Sequence, residues 1–106
     1  ATIGKTAILD VEATTNQAVC ACTPFEDILG DFLHVFLQAW RRRFVARGEG
    51  GAQPNISRVK IVNTVCPLPP LKEQARIVDK VRTVRGLLRE LEAKSDKRRT
   101  MAGRLA

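Results

Sequence analysis

The 106-residue chain has no tyrosine, and tryptophan, methionine and histidine occur once each. Cysteine occurs three times. An odd count without a secretion signal argues against a disulfide framework. The first ten residues lack the basic start and long apolar run of a signal peptide. The longest uncharged stretches, residues 13–25 and 32–40, are too short or too polar to span a bilayer. These absences together point to a cytoplasmic protein without a membrane segment. There is also no internal repeat, low-complexity tract or obvious linker, and the length allows one modest domain at most.

Motifs of catalysis are missing as well. No glycine-rich loop follows a strand, and there is no H-E-x-x-H, D-x-D-like cluster, nucleophile elbow or methyltransferase signature. The G-E-G-G run at residues 48–51 follows a helical pattern, so it does not read as a phosphate cradle. Cys20, Cys22, Cys66 and His34 would make four zinc ligands by count, but structural zinc sites show C-x2-C or H-x3-H pairs. Free cysteines read by default as small buried hydrophobes, and His34 has no acid or serine partner in view. The expectation is a non-enzyme with no cofactor and no metal.

What is present is positive charge, unevenly spread. The formal net charge is +7. Residues 1–40 hold one lysine against five acids; residues 41–60 hold six basic residues against one acid; residues 61–106 hold eleven against five. A cation-rich second half suits an anionic partner, nucleic acid first, or a solvated helix face.

The hydrophobic pattern divides the chain. Residues 5–11 and 18–22 read as short strands, separated by the polar turn E-A-T-T-N-Q at residues 12–17. Thr23, Pro24 and Glu26 form a capping box with proline at the first helical position. From there Leu29, Phe32, Leu33, Phe36, Trp40 and Phe44 make one apolar stripe, so the aromatic residues belong to a core rather than to base stacking. The helix is expected to end at Gly48. A short helix over about residues 56–62 follows, with Asn55 and Ser57 as candidate caps, and then an extended run to Pro70. From Leu71, residues Ile77, Val81, Val84, Leu88 and Leu91 recur at four- and three-residue steps, a coiled-coil seam that buries well only against a partner. The seam fades after Leu91, so residues 96–106 read as a frayed basic tail. The fold class expected is α+β, with residues 1–70 as one unit and residues 71–106 as a pairing helix with a basic tail.

Three segments in order carry a resemblance: T-T-N-Q at residues 14–17, G-A-Q-P-N-I-S at residues 51–57, and P-L-P-P-L-K-E-Q-A-R-I-V at residues 67–78. Together they resemble the second half of a target-recognition domain, and the conserved helix after it, from the DNA-specificity subunit of type I restriction-modification systems. The resemblance covers about residues 8–93. It implies a non-catalytic subunit that reads double-stranded DNA and docks methyltransferase subunits, with restriction subunits as a further partner class. It also implies an antiparallel helix pair, and that a complete recognition domain extends ahead of Ala1, which would make this chain a fragment.

The candidate DNA contacts are Thr15, Asn16, Gln17, Arg41, Arg42, Arg43, Arg47, Arg58 and Lys60. Asparagine and glutamine can bond both edges of adenine, whereas arginine and lysine grip phosphates. Each has a plainer role beside it: a turn held by side-chain-to-backbone bonds, or cations at a helix C-terminus. The helix-pairing candidates are Ile77, Val81, Val84, Leu88 and Leu91, expected to give self-association, with packing on the chain's own first helix as the plainer alternative. The alternative function is a helical interaction module with no DNA binding of its own.

Overall fold

The computed structural model describes residues 3–46 and 57–105. Among them are four helices: α1 (Gly30–Ala39), α2 (Arg41–Ala46), α3 (Arg58–Val62) and α4 (Leu71–Leu105). There is no strand among the described residues, which corrects the α+β expectation to an all-helical arrangement. The physical reason is that a strand is defined by its ladder. Residues 5–11 and 18–22 carry apolar side chains, but among the described residues neither is paired in a ladder, and Ile8, Leu9, Val11 and Val19 stay exposed. Two strands alone are marginal in water.

The first helix also begins later than its capping box predicts. Residues 23–25 are irregular and residues 26–28 form a turn, with the Ile28 N–H donating to the Phe25 carbonyl at 3.0 Å. The N-cap is Leu29, whose side chain offers no cap. Its N–H is taken instead by the side chain of Gln74, 45 residues away, at 2.9 Å. A break at Trp40 then separates α1 from α2. The apolar stripe survives the break. Phe36, Trp40 and Phe44 stack in tilted pairs 5.8 and 6.1 Å apart, while Phe32 and Phe44 are buried.

Gly4 explains how the N-terminal segment meets α2. Its φ of +78° lies in the left-handed region, and a Cβ there would sit 2.7 Å from Cγ of Arg41. Glycine alone accepts both conditions cheaply.

Helix α3 is capped as its sequence suggests, by Ser57 Oγ accepting from the Lys60 N–H at 3.4 Å. Pro67, Pro69 and Pro70 then keep the chain out of helix until Leu71. Helix α4 runs 35 residues, about 52 Å at 1.5 Å per residue. That length matches the 55 Å long axis of the molecule. Its last ten residues are helical, where a frayed tail was expected. Leucine, arginine, lysine, glutamate and alanine dominate residues 87–99, and all favour helix without tertiary support.

Helix α1 packs on the beginning of α4. The row that meets it is Gln74, Val78 and Arg82, spaced by four residues on one face. Gln74 and Val78 are buried, and Arg82 bonds Asp31 of α1 at 3.0 Å.

Candidate nucleic-acid interface and pairing face

The turn at residues 14–19 is built by Asn16. Its Oδ1 accepts from the Ala18 N–H at 2.9 Å, and its carbonyl accepts from the Val19 N–H at 3.1 Å. Such a side-chain-supported turn needs no ligand to hold it. Thr15, Asn16 and Gln17 are all exposed, so their remaining donors and acceptors face solvent.

The arginines of α2 are exposed as well. The guanidinium of Arg43 lies 4.3 Å from the centre of the Trp40 ring, a cation–π contact that anchors it beside the apolar stripe. Arg41 packs its stem against Gly4. Arg47 lies outside the described residues, as do the glycines expected to stop the helix and most of the G-A-Q-P-N-I-S segment.

Arg58 is exposed on α3 and lines an open cleft of about 390 Å³ with Leu33, Phe36 and Leu37 of α1. Lys60, one turn from the Ser57 cap, is half-buried. Cys20, Cys22 and Cys66 also line this cleft, a convergence that their spacing in the sequence did not reveal. Cys20 and Cys22 are exposed and Cys66 half-exposed, so the expectation of buried cysteines is not met. Partial burial pushes the Cys22 and Cys66 thiols above their ordinary range, and Cys20 beside it adds to the shift at Cys22. Among the described residues, no group of three or more histidine, cysteine or acidic side chains is arranged to hold a metal.

The seam of α4 occupies a different face from the row that meets α1, roughly a quarter turn round the helix. Exposure rises along it. Ile77 and Val81, near α1, are half-buried, whereas Val84 is 44%, Leu88 52% and Leu91 62% exposed. Within this chain, α1 covers the 74–78–82 row and leaves the far seam open. Full burial of a valine or leucine contributes about 1.5–3 kcal/mol, so a partner on Val84, Leu88 and Leu91 would gain about 1 kcal/mol from each.

Gln74 was missed by sequence reasoning as a functional group, though it stands inside the motif that carried the resemblance. Nothing in its local pattern distinguishes it from a surface glutamine. The structure buries it completely and gives it three backbone partners: Leu29 N–H at 2.9 Å, and the carbonyls of Asp27 and Pro69, both at 2.8 Å.

These elements fit one family. A model described as the type I restriction modification DNA specificity domain matches residues 1–98. The chain belongs to this family. No solved structure matches the chain. As a member of the DNA-specificity family, it takes its place on the recognition side of a type I restriction-modification system, where DNA and the modification subunits are the partners. No helix among the described residues is long and apolar enough to cross a membrane.

Proposed function

We propose that this chain contributes to DNA recognition in a type I restriction-modification system without catalysing a reaction itself. The exposed arginines of α2, with Arg58 and Lys60 of α3, contact the DNA backbone, and Arg47 belongs to the same group. The exposed turn at Thr15, Asn16 and Gln17 lies near the bases. Helix α4 is the scaffold on which methyltransferase subunits, and restriction subunits with them, assemble in the cytoplasm. The observation that carries this reading is the family match over residues 1–98 in a chain of net charge +7. Phosphate contacts from such residues position a protein on DNA without reading sequence.

Binding to random duplex DNA, followed by fluorescence anisotropy at two salt concentrations, tests it. Six phosphate contacts would weaken the affinity roughly a thousandfold between about 50 and 200 mM salt. Binding that is absent at low salt, with the helices intact by circular dichroism, sinks the DNA-gripping part of the reading.

A second reading has its own support. The open seam at Val84, Leu88 and Leu91 suits a helix-mediated interaction module, pairing with a second copy or another helix and not touching DNA. An apolar seam responds little to salt, so the same titration separates the two.

A further inference from the structure

Gln74 lies in the first turn of α4, and its side chain is 0% exposed. A carboxamide buried so fully must find partners, since leaving it unpaired is costly. The partners come from two stretches of the chain, the turn at Asp27 and Leu29 before α1 and the proline run at Pro69. Oε1 accepts from the N–H of Leu29 at the entry to α1. Nε2 donates one hydrogen to the Asp27 carbonyl and the other to the Pro69 carbonyl. All three partners are backbone groups, which cannot swing away as side chains do. One residue therefore ties the start of α4 to the turn before α1, to the cap of α1, and to the proline run that delivers the chain into α4.

The other contacts on the same row are of a different kind. Val78 is buried but non-directional, so it resists separation more than rotation. The Arg82–Asp31 pair is directional, but its side chains are 65% and 49% exposed and held in competition with water. Only Gln74 combines direction with complete burial.

We propose that Gln74 is a positioning residue: it sets the angle at which α4 leaves the α1 unit. It thereby fixes where the arginines of α2 stand relative to the projecting half of the helix. The value of that angle to DNA recognition rests on the function proposed above; the angle itself does not.

Backbone N–H residual dipolar couplings of the full chain in a weakly aligning medium test this directly. In the unaltered protein, one alignment tensor should fit α1 and α4 together. Gln74→Met keeps a similar volume and removes all three bonds; its α1 and α4 couplings should no longer share a tensor. Val78→Ala weakens the same contact without touching the polar joint, so it should lower the melting temperature while keeping a single tensor. Should Gln74→Met not fold, Gln74→Asn carries the test. Its amide sits on a stem too short to reach all three partners, and the common tensor should be lost there too. A single tensor in the folded Gln74 variant overturns the proposal, as does an equal loss of the common tensor in Val78→Ala. Neither result involves DNA. Failure to bind duplex DNA would remove the proposed function and leave the positioning role standing.

Discussion

The two halves of α4 differ in what holds them, although they form one unbroken helix. Over residues 71–82 the helix is fastened to α1 by a buried carboxamide, a buried valine and an ion pair. Past Val84 it leaves α1 behind, and the seam residues grow more exposed from Val84 through Leu88 to Leu91. The near half is stabilised by tertiary contacts. The far half is helical through its composition and through continuity with the near half. A helix built in this way is a fixed base with a projecting arm, and the arm presents a face that the chain itself does not cover.

Substitutions should separate the halves by the size of their effect on the chain's own stability. The largest belongs to Gln74→Met. It strands the Leu29 N–H and the carbonyls of Asp27 and Pro69 at a part-buried joint, which should cost about 2 kcal/mol even after the gain from an apolar side chain. Urea denaturation followed by circular dichroism measures it. A change no larger than that of an ordinary surface substitution would mean the joint contributes little. Arg82→Ala comes next. Its ion pair is well exposed, so the loss should be within about 1 kcal/mol and shrink further at high salt.

In the far half the expectation reverses. Leu88→Asp should change monomer stability by only about 0.5 kcal/mol, because half the leucine already faces water. Yet it should abolish self-association through the seam. Light scattering at tens of micromolar is expected to give a multiple of 11.7 kDa for the unaltered chain and 11.7 kDa for the variant. Arg42→Ala should leave the assembly as it was. A single-chain mass for the unaltered protein would remove self-association from the picture and leave the seam for a different helix.

The same contrast explains which parts of the fold were legible in the sequence. Local signals were read well where local physics decides. The prolines before Leu71 mark the start of α4, Ser57 caps α3, and the aromatic stripe of residues 32–44 forms core. Readings failed where the outcome depends on residues far away. Strands at residues 5–11 and 18–22 need neighbours that periodicity cannot supply. The capping box at Thr23 is locally sound, but the Gln74 side chain bonds the backbone at Asp27 and Leu29, and the helix begins at Gly30. Residues 96–105 lack the seam pattern and so suggest a frayed tail, although helix-favouring residues and continuity with the rest of α4 keep them helical. The candidate site was legible only in part. The sequence nominated Arg41, Arg42, Arg43 and Arg58, and the structure exposes them. It gave no sign that Gln74 is buried, or that Cys20, Cys22 and Cys66 share a cleft with Arg58.

The smallest predicted effect lies at the fixed end of α4 and concerns pH. Arg76 bonds Glu73 through both Nε, at 2.8 Å to Oε2, and its terminal nitrogen on Oε1, one turn apart on the helix surface. The hydrogen bonds and charge of the guanidinium hold the Glu73 carboxyl below its ordinary value of 4.5. A carboxylate whose pKa is depressed on folding stabilises the fold above its unfolded pKa, and that contribution disappears as pH falls through the folded value. Glu73 sits in the first turn of α4, where a negative charge also suits the positive end of the helix. Acidification from neutral should therefore loosen the start of α4 only once the pH drops below about 4.5. Because both groups are exposed, the change should be slight. Arg76→Ala should bring the Glu73 titration back toward its ordinary value, which the carboxyl carbon shift reports by NMR. If Glu73 titrates alike in both proteins, the pair does not persist in solution, and Gln74 fastens this end of the helix without its help.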